Sequence, residues 1–136
     1  MDKNYSGYDH IGINVSNFME AKEFYNKLLS FIGFKKVKET DSSVRWFNGV
    51  VSFSIKPVAE KHKEVHYHRK NVGLNHLAFR ANSREAVDKI HKEFLIPNKI
   101  LTLYDTPKEF PDYRNEYYAV FFEGPDRIKL EVMWGS

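Results

Sequence analysis

The chain contains no cysteine. Disulfide frameworks, thiolate nucleophiles and cysteine-ligated zinc are therefore excluded, and a reducing cytosol is a compatible setting. A dominant charge is also missing: 21 Lys and Arg stand against 18 Asp and Glu, for a formal net charge of +3. Acidic and basic residues alternate, as in Glu60-Lys61-His62-Lys63-Glu64. Such runs belong to solvated faces and not to a nucleic-acid footprint, so no nucleic-acid partner is expected. Met1-Asp2-Lys3-Asn4-Tyr5 lacks the apolar core of a secretory signal, and no apolar run is long enough to span a bilayer as a helix. A cytoplasmic protein without membrane association is the expectation. Aromatic residues, in contrast, are plentiful at 15%, within a hydrophobic fraction of 42%, which argues against disorder.

What is present is present twice. Tyr8-Asp9-His10-Ile11-Gly12-Ile13-Asn14-Val15-Ser16-Asn17 returns as Leu74-Asn75-His76-Leu77-Ala78-Phe79-Arg80-Ala81-Asn82-Ser83. The two histidines, His10 and His76, are 66 positions apart. Apolar residues alternate after each, Ile11, Ile13, Val15 and then Leu77, Phe79, Ala81. An internal repeat fixes architecture before any single residue is interpreted. At 136 residues the expectation is a single domain, 1–136. Each copy alone is marginal in size, so the two are expected to share one core. The boundaries fall at about 6–57 for module one, 58–72 for a polar, charged linker, and 73–134 for module two.

Within module one, residues 8–15 read as a half-buried strand. Asn17, with Glu20 three residues on, has the spacing of a helix-capping box. Ala21, Phe24, Tyr25, Leu28 and Leu29 make a helical apolar stripe, and Gly33 supplies a stop. Phe34–Glu39, Val44–Phe47 and Val50–Lys56 read as strands, the last two joined by Asn48-Gly49, a type I′ hairpin signal. Module two repeats the order: strand 74–81, a cap at Asn82 or Ser83, a helix to about 94 ended by Pro97, and a strand near 99–104. A proline-containing loop over Asp105–Arg114 follows, as lid or connector. Tyr117–Glu123 and Ile128–Met133 form the closing hairpin through Gly124-Pro125-Asp126-Arg127. Each half is β-α-β-β-β, an α+β pattern with helices on one sheet face.

Asp9-His10-Ile11-Gly12-Ile13-Asn14-Val15, Asn75-His76-Leu77-Ala78-Phe79 and Tyr117–Phe122 through Pro125-Asp126 to Lys129-Leu130-Glu131-Val132 together carry a resemblance to a known family. The chain resembles the vicinal oxygen chelate superfamily of glyoxalase I, fosfomycin- and bleomycin-resistance proteins and extradiol dioxygenases. The resemblance covers nearly the whole chain. It implies two βαβββ modules forming a curled mixed sheet around a metal cavity, with ligands on the first and last strands of each module. Matched residue by residue, His10, His76 and Glu131 are the implied metal ligands, and the fourth position falls at Ser54. Serine is a poor divalent-metal ligand, so glyoxalase I activity itself is not expected. Two histidines and one carboxylate leave open coordination positions and suit Fe(II) or Mn(II), with Zn and Ni also open. Arg127 departs from the glycine common in relatives at that turn, a local structural effect.

The resemblance further implies a homodimer and a small oxygen-chelating substrate. A lyase, isomerase or transferase reaction is expected. A non-catalytic, bleomycin-resistance-like binding protein and an extradiol-type dioxygenase are the alternatives. Among further residues, Glu39, Asp41, Arg45, His91, Tyr117 and Tyr118 are candidate acids, bases or polar contacts, with no general base assigned. Trp46, Phe47, Phe53 and Phe121 are candidate pocket aromatics, about half of which are expected to be ordinary core packing. His62, His66 and His68 have no carboxylate partner in a metal motif and read as solvated loop.

Overall fold

The computed structural model describes residues 3–136. The chain divides between Val65 and His66 into two compact units, each built on one repeat. No described helix is long and apolar enough to cross a membrane.

In the first unit, β1 (His10–Val15) leads into α1 (Phe18–Phe31), then β2 (Lys35–Thr40), β3 (Ser43–Phe47) and β4 (Ser52–Pro57). Asn17 caps α1 by accepting from the Glu20 amide at 3.1 Å. Gly33 follows the helix at φ +95°, a conformation that costs glycine little. The spatial order is β1-β4-β3-β2, so the first strand lies beside the last. That pair is parallel, with His10 opposite Ser52 and Gly12 opposite Ser54, and the other pairs are antiparallel.

Strand alternation then divides the sheet into two chemically different faces. Val44, Trp46, Phe53 and Ile55 are buried with Ala21, Tyr25, Leu28 and Leu29 of α1. The tilted rings of Tyr25 and Phe53 lie 5.0 Å apart, and Trp46 Nε1 donates to Asn26 Oδ1 at 3.1 Å. Trp46 and Phe53 are thus core residues beneath the helix, the ordinary packing expected for part of that aromatic set. Phe47 has the opposite parity and is 39% exposed. The other face carries His10, Gly12, Asn14, Arg45, Ser52, Ser54 and Lys56.

The second unit repeats the order with β5 (Leu77–Arg80), α2 (Arg84–Ile90), β6 (Thr102–Glu109), β7 (Tyr117–Glu123) and β8 (Lys129–Gly135). Its sheet runs β5-β8-β7-β6, again with a parallel first-to-last pair. Ser83 caps α2 through the Ala86 amide at 3.1 Å. The helix continues as a π-helical turn, His91–Leu95, which buries Phe94 and Leu95 with Val87 and Ile90. Val120, Phe122, Leu130 and Val132 of the sheet are buried as well.

Two local expectations are corrected. Phe47 pairs with Ser52, so the β3–β4 connection is a four-residue loop and not a two-residue type I′ turn. Asn48 lies outside the positive-φ residues, and its Oδ1 accepts from the amides of Val50 and Val51 at 2.9 and 2.8 Å. The Asp105–Arg114 loop is half strand, because β6 runs to Glu109. Between Leu103, opposite Phe121, and Lys108, opposite Ala119, the strand bulges. Pro107, which has no amide to pair, sits inside that bulge. Arg127 does lie at positive φ (+58°), as does Asp126 beside it (+63°).

Candidate functional site

The two repeat histidines are held in the same way. Each is preceded by a short side chain carrying an acceptor oxygen. Asp9 Oδ2 lies 2.8 Å from His10 Nδ1, and Asn75 Oδ1 lies 2.7 Å from His76 Nδ1. With the Nδ1 proton donated to that acceptor, Nε2 of each ring is left with its lone pair. Such an outer contact fixes tautomer and ring orientation in histidines that ligate metals.

In the second unit, parity brings a carboxylate to the histidine. Glu131 on β8 is opposite Ala78, two residues past His76 on the parallel neighbour. Glu131 is 1% exposed, and its Oε2 lies 3.3 Å from His76 Nε2. The Tyr117 hydroxyl donates to the other oxygen, Oε1. Burial, and then this hydrogen bond, push the Tyr117 hydroxyl well above the usual tyrosine range, so it remains a donor at any physiological pH. Phe121, opposite Glu131, has its ring 6.3 Å from that of His76. Phe110 packs on Tyr113 (4.9 Å), Tyr117 (6.3 Å) and Phe121 (5.5 Å), lining the carboxylate's surroundings with aromatic surface.

His10 lies in the first unit, on the exposed polar face of β1. Gly12 is opposite Ser54 as Ala78 is opposite Glu131, so backbone pairing makes Ser54 the counterpart of Glu131. A Cβ added at Gly12 would meet Ser54 Oγ at 3.1 Å. Among the described residues, no three His, Asp or Glu side chains converge closely enough to hold a metal ion. Within the second unit His76 and Glu131 are brought together; His10 belongs to the first unit.

The other candidates separate cleanly. Glu39 accepts from Lys36 at 2.8 Å, with Lys22 at 3.7 Å. The Lys36 hydrogen bond holds its carboxyl below the usual carboxylate range. Tyr118 donates to Asp88 of α2, and burial followed by that bond raises its pKa to about 12. His62, His66 and His68 are exposed. Arg45 lines a cavity of about 540 Å³ on the first unit's polar face, together with His10 and Ser54.

The matching family model, described as the Glyoxalase/Bleomycin resistance protein/Dioxygenase superfamily, covers residues 7–132. The chain belongs to this superfamily. Among curated proteins this superfamily member is similar to the uncharacterized protein YqjT of Bacillus subtilis (strain 168). The two are 36% identical over 124 residues, which is 91% of this chain and 95% of that protein. A crystal structure from Bacillus halodurans, bearing a provisional glyoxalase designation, is 32% identical with a TM-score of 0.83 and covers 93% of both chains. A glyoxalase/bleomycin resistance protein from Albidiferax ferrireducens T118, 20% identical, covers 94% of this chain and 98% of its own at a TM-score of 0.75. This last likeness concerns the fold alone.

Proposed function

We propose that the protein is a divalent-metal-dependent enzyme, with His10, His76 and Glu131 as protein ligands, acting on a small substrate that chelates through two oxygens. One observation carries this reading: His76 Nε2 and Glu131 Oε2 face each other at 3.3 Å while the remaining polar atom of each side chain is occupied. A lone-pair nitrogen and a carboxylate oxygen repel unless a proton or a metal cation lies between them. The separation suits a metal, since ligands at about 2.1 Å from zinc stand roughly 3.0–3.4 Å apart in octahedral to tetrahedral geometry. Imidazole and carboxylate are donors that Fe, Mn, Zn and Ni accept.

When bound, the ion supplies Lewis acidity to the substrate's neighbouring oxygens. The chain's own residues do the rest. Asn75 and Asp9 orient the imidazoles, Tyr117 holds the Glu131 carboxylate, and the aromatic cluster of Phe110, Tyr113 and Phe121 keeps water from it. His10 is supplied by the first unit, from the same chain or from the second chain of a homodimer. With serine at position 54 the set is one ligand short of the glyoxalase I pattern, so a lyase, isomerase or transferase reaction other than that of glyoxalase I is proposed. A cytoplasmic setting is part of the same reading, consistent with the absence of cysteine.

The aromatic surface around Glu131 favours a second reading, a binding protein without catalysis. Elemental analysis of protein purified without added metal separates the two. The enzyme reading expects about one metal per site in the wild type and none in His76→Ala, with the fold retained by circular dichroism. Equal metal content in both refutes the site.

A further inference from the structure

We propose that the polar face of the first unit is an oxyanion-binding site, and that the substrate carries a phosphate- or phosphonate-type group which docks there. The cavity of about 540 Å³ on that face is of a size typical of small-molecule sites. Three cations line it: Lys38 of β2, Arg45 of β3 and Lys56 of β4. Among the described residues none of the three has a carboxylate partner, which is equally true of cations such as Lys35, Lys61 and Lys70; what sets the three apart is that they line one cavity. Among the described residues the one acid lining the cavity, Asp9, is turned to His10 Nδ1 at 2.8 Å.

The placement of these cations works against the fold's own stability. Lys38 is directly opposite Arg45 across the β2–β3 pair, and Arg45 is directly opposite Ser54 on β4. Like charges facing each other across antiparallel strands destabilise the pair. An anion between them reverses that sign. Ser43 and Ser54 add hydroxyl donors to the same cavity. Three cations with hydroxyl donors favour a dianionic tetrahedral oxyanion over a singly charged carboxylate, since Arg and Lys form charge-assisted bonds to several of its oxygens. His10 lines the same cavity, so an anion held there lies beside a proposed metal ligand. The anion site stands on the first unit alone. Its assignment to the substrate rests on the metal-enzyme reading above.

The full chain, stripped of metal by chelation, is titrated with inorganic phosphate, methylphosphonate and acetate at constant ionic strength, by calorimetry and by thermal shift. Saturable binding of phosphate and methylphosphonate is expected, at least tenfold tighter than acetate. Lys38→Gln/Arg45→Gln should weaken phosphate binding tenfold or more. Without phosphate, the same variant should melt higher than the wild type, the opposite of what loss of a structural contact gives. Lys56→Gln should weaken binding several-fold, and Lys35→Gln, outside the cavity, should leave it unchanged. Absence of saturable phosphate binding, or affinity within twofold of wild type in the double variant, overturns the site. So does binding of a DNA duplex without binding of phosphate. Metal content of the unstripped protein is measured alongside. Metal without phosphate binding overturns the anion site alone, and phosphate binding without metal overturns the metal reading alone.

Discussion

Removing one oxygen atom, in Tyr117→Phe, tests whether the second unit's carboxylate is held for a ligand. Glu131 is 1% exposed, and Tyr117 donates to its Oε1. Phenylalanine retains the ring packing against Phe110 and Tyr113, so the change isolates the hydroxyl. A hydrogen bond to a charged group contributes about 1.5–3 kcal/mol, and a buried carboxylate oxygen left without its donor costs at least that. For a domain of this size each kcal/mol shifts Tm by roughly 3–5 °C, so the metal-free variant should melt about 5–15 °C lower. Contacts that orient a ligand typically change metal affinity by about 10–100-fold, and Zn or Mn titration by calorimetry should register a loss in that range. A lowered Tm with unchanged metal affinity would refute the ligand-orienting role assigned to Tyr117, leaving its hydroxyl bond a structural contact alone. No change in either would mean that the bond itself is absent in solution.

Ser54→Glu restores a carboxylate at the counterpart of Glu131 and should tighten Zn or Ni binding by about tenfold or more, measured by competition with a chelator. The same substitution should weaken phosphate binding, since it adds an anion beside Arg45. Glu123 offers a pH test. Burial raises its pKa, but hydrogen bonds from Arg69 (2.6 Å) and Arg127 (3.1 Å) outweigh this, leaving it lowered. A lowered folded-state pKa means stability that is present above the ordinary carboxylate value and lost as pH falls through the lowered one. Glu123→Gln should therefore cost about 1 kcal/mol at pH 7, and the gap from wild type should narrow as pH falls below the ordinary carboxylate value in urea denaturation. Gly135→Ala should destabilise by about 2 kcal/mol or more, because the position has φ +156° and a Cβ would stand 2.1 Å from the Glu116 carbonyl oxygen. An unshifted denaturation midpoint would contradict that geometry.

Local chemistry was the most legible part of the sequence. Asn17 and Ser83 cap their helices because a short acceptor next to free amides has one good use there. Alternation placed His10 opposite Ile11 and Ile13, and the sheet places it so. Where the reading failed, a tertiary contact outweighed a local signal. Asn48-Gly49 looks like a two-residue turn, yet the Asn48 side chain caps a wider loop. Pro107 looks like a strand breaker, but a bulge accepts it where no ladder amide is needed. Trp46 and Phe53 were open to either face until their parity against α1 was known. The residues before the histidines, Asp9 and Asn75, were missed as orienting groups. Their signal was visible in both repeat copies: an acceptor side chain directly before each imidazole. Arg45 was among the candidate polar contacts, but Lys38 and Lys56 were missed, because charges on strands read as solvated until strand pairing gathers them on one cavity.

The substituted ligand position and the unanswered cations are one feature of the first unit. In each sheet the residue opposite the last-strand position comes from the neighbouring antiparallel strand: Arg45 faces Ser54, and Phe121 faces Glu131. A glutamate at position 54 would sit across from Arg45, one strand from Lys38, and would offset one of their two charges. With serine there, the guanidinium and ammonium remain available to an external anion, and the hydroxyl adds a donor. In the second unit the same register sets a carboxylate against an aromatic ring, which cannot pair with it. Tyr117 donates to one oxygen of that carboxylate, and the other is turned to His76 Nε2. Identical backbone pairing thus gives one face that seeks an anion and another that presents a buried carboxylate to an imidazole. Arg45→Phe with Ser54→Glu would convert the first face toward the second. It should exchange phosphate binding for metal binding at His10, and retention of phosphate binding in that variant would show that the cross-strand pair does not set the chemistry of the face.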